Sequence, residues 1–590
     1  MLFFDSHDSF YHEPAGPAAS GSSVTFRFRG TNITHAVLRA WMGSDILVPM
    51  KHESDDLFTA VLQVPEATGL LWYDFLLIYP NGTKTRYIAP KDGLGGVGHE
   101  DTHPDARDWA YQLTVYQPSF HTPAYMHGAN IYQIFPDRFY HASTHATDIR
   151  TDRRLHADWS EDLNTGRNPE DTENDVLEFY RGNLNGIREK LPYLAGLGVD
   201  VLYLNPIFQA SSNHRYDTAD YTVIDPLLGT SEEFQELCSA AGEYGIHVML
   251  DGVFSHTGED SRYFNRFGHF PTLGAYQSRD SQYYDWYTFE QWPDKYRSWW
   301  GIHTLPEVRK NQKPYQNFMF NRTDGIVPRW IHAGACGWRL DVADELPMDF
   351  LRKLRKAAKS ARRDAVVLGE VWEDASNKIA YGEMRCYCTG DTLDSVMNYP
   401  LRTAILDFVS GKTDAQALVR LIRHQEEVYP AQFRYALMNL LGSHDRARVL
   451  NALVDREGQG LSKHEQNQLR LTPDEYDLAV RRYKAALSIL CALPGCPTVY
   501  YGDEAGMTGG PDPFCRRAYP WGHEDAELQA FVQAKLNHRK HSHVLRYGYC
   551  TVQAPDAQTI TIRRYLNGDT DALGHRNTSS AEEICTVRRP

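Results

Sequence analysis

The stretch GWRLDVADELP, Gly337 to Pro347, joins an apolar run typical of a buried strand to a cluster of acids. The run ends on Asp341. Arg339 stands two residues earlier, where the alternation of a strand places it on the same face as Asp341. The pattern indicates either a paired charge at the end of a strand or one part of an active site.

Seven further strand-like runs share the rhythm of this one: NIYQIF, VDVLYLNPI, IHVMLDGVF, AVVLGEVW, LDSVMNY, ALMNLLGSHD and PTVYYGDE. Between several of them lie amphipathic stretches such as SEEFQELCSAAGEYG and DFLRKLRKAAKSARR. Eight strands alternating with helices predict a (β/α)8 TIM barrel. A doubly wound sheet is the alternative, and the lack of a glycine-rich phosphate loop favours the barrel.

A chain of 590 residues exceeds the roughly 250–300 residues at which a single core stops growing, so we expect a multidomain protein. Residues 1–122 contain short branched and aromatic runs and predict an N-terminal β-sandwich that resembles a carbohydrate-binding domain. Residues 123–536 predict the barrel, with a polar loop at 141–178 and an aromatic-rich inserted subdomain at 257–322 after strand 3. Residues 537–590 predict a short C-terminal β-domain.

Charge and cysteine usage narrow the classes of partner and compartment. The net charge of −15 disfavours nucleic acid and anionic membranes as partners, because both need basic surface. No apolar run is long enough for a transmembrane helix, and the N-terminus lacks the pattern of a secretory signal, so a cytoplasmic location is expected. The nine cysteines contain no CxxC pair, which indicates free thiols rather than a zinc site.

Carboxylates stand at the end of several predicted barrel strands: Asp251, Asp341, Glu370 and Asp445. The C-terminal ends of barrel strands meet at one face, where active sites form. One such acid is commonly a salt bridge or a helix N-cap. Four of them, with His256 and His444 nearby, predict either a metal site or acid, base and nucleophilic chemistry at a glycosidic carbon.

Glycosidic hydrolysis with retention needs one ionised carboxylate and one protonated carboxyl, whose pKa values must differ. We expect Arg339 to keep Asp341 ionised by lowering its pKa. We expect an apolar setting to raise the pKa of Glu370, which follows Val366–Gly369. Tyr216 and Trp372 could stack on a sugar ring or pack in the core.

Four motifs occur in order along the chain: DGVFSH (251–256), GWRLDVADE (337–345), GEVW (369–372) and GSHD (442–445). With them the chain resembles glycoside hydrolase family 13, the α-amylase family, and most closely its neopullulanase, cyclomaltodextrinase and maltogenic amylase group. The resemblance extends from about Asn130 to Trp521, and more loosely over the N-terminal β-domain.

The resemblance implies a catalytic role for three acids. Asp341 is similar to the family's nucleophile, Glu370 to its general acid/base, and Asp445 to the third acid that holds sugar hydroxyls. Arg339 matches the arginine that precedes the nucleophile, and Asp251 matches a structural aspartate paired with it.

The same resemblance implies substrate-binding positions around these acids. His256 and His444 match histidines that bind the sugar at the cleaved bond, and Tyr216 matches the aromatic residue beneath that sugar. Trp372 and Glu345 match positions on the acceptor side, where linkage preference is tuned.

Several positions depart from the family pattern. Ser255 replaces the usual asparagine of the first motif, and Arg446-Ala447-Arg448 follows the fourth motif, where relatives more often carry a small polar residue and then proline or alanine. Gly182-Asn183 and the stretch 141–148 replace residues that ligate calcium in many relatives. Because weaker ligands disfavour a calcium site, we expect no required cofactor and assign no metal ligand, with a structural calcium as the alternative.

The resemblance implies a retaining α-glycan hydrolase that cleaves α-1,4 glucosidic bonds in malto-oligosaccharides, cyclodextrins or pullulan, with some transglycosylation; cleavage of α-1,6 bonds is left open. An oligo-1,6-glucosidase or α-glucanotransferase of the same family is the alternative chemistry. A non-catalytic carbohydrate-binding relative and a metal-dependent barrel hydrolase are the alternatives from other classes. The resemblance also implies a homodimer, in which the N-terminal domain packs over the barrel of the partner.

Overall fold

Eight parallel strands form the central sheet of the protein, whose computed structural model describes residues 1–54, 56–147, 150–577 and 582–590. In chain order, strands β1 to β8 are Ile131–Ile134, Val201–Leu204, His247–Gly252, Gly337–Leu340, Val366–Gly369, Ser395–Val396, Met438–Leu440 and Cys496–Tyr500. They lie side by side in the order β6-β5-β4-β3-β2-β1-β8-β7. A parallel bridge between Met397 and Met438 joins the two ends of this order. The prediction of a (β/α)8 barrel is therefore confirmed.

The barrel strands are short and apolar because both of their faces are covered. All residues of β2, β4 and β5 are buried. The α-helices span Leu184–Glu189, Leu191–Leu197, Ser231–Glu243, Lys313–Phe320, Ile326–His332, Met348–Ala361, Tyr399–Ser410, Ala415–Val428, Ala431–Arg434, Val449–Ala452, Lys463–Gln468, Pro473–Ala492, Ala526–His541 and His543–Tyr547. None of these helices combines the length and the apolar character that crossing a bilayer requires.

The N-terminal domain consists of two sheets packed face to face, which confirms the predicted sandwich. One sheet contains Leu2–Phe3, His12–Glu13, Ser23–Gly30, Lys51–Ser54 and Leu57–Gln63. The other contains Ala18–Ala19, His35–Met42, Ser44–Pro49, Gly69–Ile78, Lys84–Ile88, His99–Asp101 and Tyr111–Tyr116. Alternate residues such as Phe26, Leu38 and Phe75 fill the space between the sheets.

The N-terminal domain also contacts the barrel through its strand Tyr111–Tyr116. Gln112 lies on the face of this strand that points away from the sandwich core. Its amide nitrogen donates to Ser376 Oγ at 3.0 Å, and Asn377 donates to its amide oxygen at 2.9 Å. The two sides of one buried amide therefore hold the segment that follows Trp372.

Three smaller regions complete the chain. The insertion at 257–322 contains the hairpin Phe289–Gln291 and Lys295–Tyr296, and the loop at 141–178 contains a short parallel pair, Arg154–Leu155 with Glu178–Phe179. Asp148 and Ile149 of this loop lie outside the described residues. After the helix Ala526–His541, which runs across residue 537, the antiparallel strands Tyr549–Asp556, Thr559–Tyr565 and Glu582–Arg588 form the predicted C-terminal β-domain. Two further hairpins lie at Phe208–Ala210 with Thr218–Ile224 and at Ile379–Ala380 with Glu383–Met384.

Candidate active site

The C-terminal ends of the barrel strands open into a cleft with a volume of about 1270 Å³. All predicted site residues line this cleft except two, Arg339 and Asp251, which lie buried beneath it. The lining set comprises Tyr216, His256, Asp341, Glu345, Glu370, Trp372, His444 and Asp445. The barrel therefore brings together residues that are separated by up to 229 positions in the sequence, from Tyr216 to Asp445.

Arg339 is the centre of the charge arrangement and is completely buried. Its Nη1 donates to Asp251 Oδ1 at 2.7 Å and to Asp341 Oδ1 at 2.9 Å. Its Nη2 lies 2.9 Å from Glu370 Oε2. One guanidinium thus contacts the carboxylates that end three neighbouring strands, β3, β4 and β5, which leaves an excess of negative charge when all three are ionised.

Arg339 lowers the pKa of Asp341, as expected, but the net shift of this pKa is upward, so the expectation of a lowered pKa was wrong. Burial raises the pKa of the Asp341 carboxyl well above its usual range. Arg339 opposes this rise, but the neighbouring charges of Glu370 and Asp251 add to it. Because one cation serves three buried carboxylates, the cluster as a whole favours keeping one proton.

Glu370 does not have the apolar setting that the sequence predicted. Its Oε2 accepts from the backbone N–H of Val342 at 2.8 Å, and its Oε1 accepts from the indole N–H of Trp372 at 2.9 Å. Val342 adopts a left-handed conformation with φ of 39°, which is rare for a β-branched residue. Backbone strain of this kind is concentrated at functional sites. Here the strained residue, Val342, is the one whose N–H points at Glu370.

His444 and Tyr216 form a hydrogen-bonded pair at the floor of the cleft. Gln133 Nε2 lies 2.8 Å from His444 Nδ1, so Nδ1 is the acceptor and the proton is on Nε2. His444 Nε2 lies 2.6 Å from the Tyr216 hydroxyl, which itself donates to Asp251 Oδ2 at 2.8 Å. Burial lowers the pKa of His444 well below its usual value, so the imidazole is neutral.

His256 is held by the residue that departs from the family motif. The Ser255 hydroxyl lies 2.8 Å from His256 Nδ1, and His256 Nε2 lies 3.1 Å from the carbonyl oxygen of Tyr216. Burial lowers the pKa of His256 to about 3, so this ring is also neutral. Ser255 therefore orients the imidazole where relatives more often use an asparagine.

Asp445 stands slightly apart from the Arg339 cluster, which consists of Arg339, Asp251, Asp341 and Glu370. Its Oδ2 lies 3.3 Å from His444 Nε2, and its Oδ1 lies 3.6 Å from Arg516 Nη2. Burial raises the pKa of Asp445, with Arg516 acting against the rise. Arg516 was not predicted; it also donates to the carbonyl oxygen of His444 at 2.9 Å and so supports both residues of the fourth motif.

The sequence predicted only some of the aromatic residues that form the wall of the cleft. Glu345 Oε1 accepts from the indole N–H groups of Trp299 at 3.0 Å and of Trp300 at 2.6 Å. Trp300 has φ of 50° and is 78% exposed, and Tyr381, in a similar backbone conformation, is 70% exposed on the same rim. The aromatic-rich run 283–300 was the signal, but its pattern did not distinguish the two cleft residues from those that pack in the core.

The arrangement can supply a nucleophilic carboxylate, a proton donor and neutral hydrogen-bonding groups at one point of the cleft. Asp341 and Glu370 both contact the guanidinium of Arg339, and retaining glycosidases need two neighbouring carboxyl groups. Among the described residues, no group of three or more His, Cys, Asp or Glu side chains has the arrangement to hold a metal ion.

Comparison with known proteins identifies similar chains across most of the sequence. The family model "Alpha amylase, catalytic domain" matches residues 133–543. The chain is 38% identical to an amylopullulanase from Thermoanaerobacter thermohydrosulfuricus over 98% of its own length. It spans only 40%, 48% and 33% of three amylopullulanases that it matches, so it covers less than half of each.

Two further relatives are similar over most of their length. A cyclomaltodextrinase from a Bacillus species is 30% identical, and the match covers 96% of this chain and 94% of that enzyme. The solved structure of a cyclic α-maltosyl-(1→6)-maltose hydrolase from Arthrobacter globiformis matches with a TM-score of 0.62 and 31% identity. That match covers 75% of this chain and 89% of the hydrolase.

Proposed function

The chain belongs to the α-amylase family of glycoside hydrolases, and we propose that it is a retaining hydrolase of α-glucans. Its substrates are malto-oligosaccharides, cyclodextrins or pullulan, cleaved at α-1,4 and also α-1,6 bonds with some transglycosylation. The observation that carries the proposal is the contact of one arginine with the two acids that such chemistry needs, Asp341 and Glu370. The similar amylopullulanase and cyclomaltodextrinase chains support the substrate class.

The proposed reaction proceeds in two steps at the anomeric carbon. The Asp341 carboxylate attacks this carbon while Glu370 gives its proton to the departing glycosidic oxygen. Water then enters, Glu370 removes a proton from it, and the bond to Asp341 breaks with overall retention. Asp445 and the neutral His444 hold hydroxyl groups of the same sugar, and Arg339 stabilises the carboxylate that Asp341 becomes again.

The product profile on pullulan tests this function and separates its alternatives. Panose or isopanose as the main trisaccharide indicates cleavage of one or the other α-1,4 bond, whereas maltotriose indicates α-1,6 cleavage. We expect panose or isopanose from α-1,4 cleavage and some maltotriose from α-1,6 cleavage, together with linear products from cyclodextrins. An oligo-1,6-glucosidase would act on isomaltose instead, and a transferase would lengthen maltotriose rather than hydrolyse it.

Absence of any product from pullulan, cyclodextrin, maltotriose and isomaltose would overturn the proposed activity. Saturable binding of these sugars without turnover would then favour a non-catalytic binding relative. That outcome is opposed by the site itself, since binding does not require three acids around a buried arginine.

Replacing Trp300 by alanine tests the role of the aromatic rim. Because an exposed indole in a strained conformation is suited to stacking on a sugar ring, we expect W300A to raise KM for maltoheptaose. The loss of one ring face corresponds to about 1–2 kcal/mol, or a rise of about 5- to 30-fold. The value of kcat should stay within about threefold, since Trp300 does not contact the acids of the Arg339 cluster.

Trp109 provides the matched control for this variant. It is also a tryptophan with positive φ, 53°, and is 45% exposed, but it lies in the N-terminal domain away from the cleft. W109A should leave KM unchanged. Equal KM values for W300A and the unmodified enzyme would show that Trp300 binds no sugar unit.

We also propose that hydrolysis requires no cofactor. The loop at the position of the family's calcium site is held by protein groups: Glu233 accepts from the Thr144 hydroxyl and the His145 N–H, and Asn183 donates to the Ala142 carbonyl. These oxygen atoms are therefore already occupied. Activity and thermal stability that survive a strong chelator would support this proposal, and their metal-reversible loss would contradict it.

The assembly and the compartment of the protein are further parts of the proposal. We propose a homodimer, supported by large exposed apolar side chains near the cleft, among them Trp300, Tyr381 and Ile379; a sedimentation mass of one chain would contradict it.

We propose a reducing compartment such as the cytoplasm, supported by nine cysteines that are all free thiols. Recovery of the native protein with disulfides would contradict it.

A further inference from the structure

Arg446, the residue that follows Asp445 where relatives more often carry a small polar side chain, packs against two aromatic rings. Its guanidinium carbon lies 4.4 Å from the centre of the Trp372 ring and 5.9 Å from that of Tyr399. Trp372 and Tyr399 are themselves stacked, with ring centres 4.2 Å apart and planes inclined by 8°. We call these three residues the Trp372 stack. A guanidinium at this distance from an indole face is attracted to it.

The closest aromatic contact of Arg446 is with the Trp372 indole, and its charge also acts on the neighbouring Asp445. Its Nε atom is buried and has no hydrogen-bond partner among the described residues. Arg446 is also not among the described residues that line the cleft, whereas Trp372 is. A direct contact between Arg446 and the sugar therefore does not explain its position.

Trp372 connects this stack to the proton donor. Its indole N–H donates to Glu370 Oε1 at 2.9 Å. The other carboxyl oxygen, Oε2, is occupied by the Val342 N–H and by Arg339. The transferable proton of Glu370 therefore belongs on Oε1, the oxygen whose orientation the indole N–H sets.

We propose that Arg446 is a positioning residue that holds the Trp372 indole against Tyr399 and thereby aims Glu370 Oε1 at the glycosidic oxygen. The inference rests on the proposed hydrolase function and specifies how its acid is oriented. As the bond between the anomeric carbon and the leaving oxygen breaks, the proton passes from Oε1 to that oxygen and Asp341 forms its bond to carbon. No further reactant is needed.

Two substrates that donate the same maltosyl group but carry different leaving groups test this role. Maltotriose needs a proton on its leaving oxygen, whereas α-maltosyl fluoride releases fluoride without one. We expect R446M to lower kcat/KM for maltotriose by about tenfold, a part of the 10²- to 10⁴-fold that a general acid contributes. For α-maltosyl fluoride, kcat/KM should change by less than about twofold, because this ratio reports the first step only.

Three further variants separate positioning from a structural role. R446K, which keeps a cation near the rings, should recover most of the lost activity. W372F should reproduce the selective loss on maltotriose, and the R446M/W372F double variant should lose no more than W372F, because both act through one hydrogen bond. R279M is the matched control, since Arg279 packs on Trp292 with its guanidinium carbon 5.3 Å from the ring centre and lies outside the cleft lining.

The outcomes decide between the inference and the function on which it rests. An equal loss of kcat/KM on both substrates in R446M, or no loss on either, overturns the positioning role while leaving the hydrolase assignment intact. Additive losses in the double variant overturn it as well. If R446M folds poorly, R446Q and R446Q/W372F carry the same comparison. An unmodified enzyme that turns over neither substrate overturns the proposed function itself.

Discussion

Replacement of Asp341 by asparagine is expected to lower kcat/KM for maltotriose by about 10⁴- to 10⁶-fold, the range seen when an enzymatic nucleophile is removed. The amide cannot form the covalent bond to the anomeric carbon, and it leaves Arg339 with one carboxylate fewer. Because both groups have nearly the same shape, the fold should be retained. Circular dichroism and the melting temperature check that retention.

The control for this variant is a nearby acid with no place in the site. Asp349 is exposed on the helix Met348–Ala361, where it pairs with Lys353. D349N should keep full activity, since pairs on an exposed helix face contribute only a few tenths of a kcal/mol. Turnover by D341N within tenfold of the unmodified enzyme would disprove the nucleophile assignment.

Replacement of Glu370 by alanine is expected to lower kcat/KM for maltotriose by about 10²- to 10⁴-fold. The loss should nearly vanish for α-maltosyl fluoride in the first step, since fluoride leaves without a proton. The second step also needs Glu370, as the base that activates water. The maltosyl-enzyme should therefore accumulate, and mass spectrometry of peptides should find the sugar on Asp341.

Azide gives this experiment a stereochemical outcome. It needs no base, so it should restore turnover of the E370A variant and release α-maltosyl azide with retained configuration. Formation of the β-azide would instead make Glu370 the nucleophile and overturn both assignments. The same addition should not rescue E345A, because Glu345 contacts indole N–H groups rather than the Arg339 cluster.

Much of the site could be predicted because its signals are local. Asp341, Glu370 and Asp445 each follow an apolar run, and a parallel barrel brings the ends of such runs to one face. The contact between Arg339 and Asp341 was also predictable, because residues two apart on a strand share a face. The position of each of these side chains can be predicted from the sequence of its own strand alone.

The electrostatics of the site could not be predicted in this way. The contacts of Arg339 with Asp251 and Glu370 depend on the neighbours of its strand in the closed barrel. Burial in the closed barrel raises the pKa of Asp341, and the like charges of Glu370 and Asp251 add to this rise, so neither cause can be read from one strand. The donors around Glu370 include a backbone N–H of strained Val342, for which the sequence contains no marker.

The cleft wall was unpredictable for a different reason. The insertion at 257–322 has little regular structure, so no periodicity assigns its aromatic residues to an inner or an outer face. Most of them pack inside, as Trp286 and Tyr287 do, and only Trp299 and Trp300 of the run 283–300 line the cleft. Trp299 and Trp300 are held at the cleft by hydrogen bonds to Glu345, which lies 45 residues beyond Trp300 in the sequence.

The hydrogen bonds of Gln112 have a consequence for how such chains can be recombined. They fix Ser376 and Asn377, and the adjoining residues Glu373, Lys378 and Tyr381 form part of the cleft wall. An exchange of the N-terminal sandwich for another module, in evolution or by engineering, would therefore release one wall of the cleft. In this architecture the sandwich is a structural part of the catalytic unit. The sandwich and the barrel therefore cannot be exchanged independently of each other.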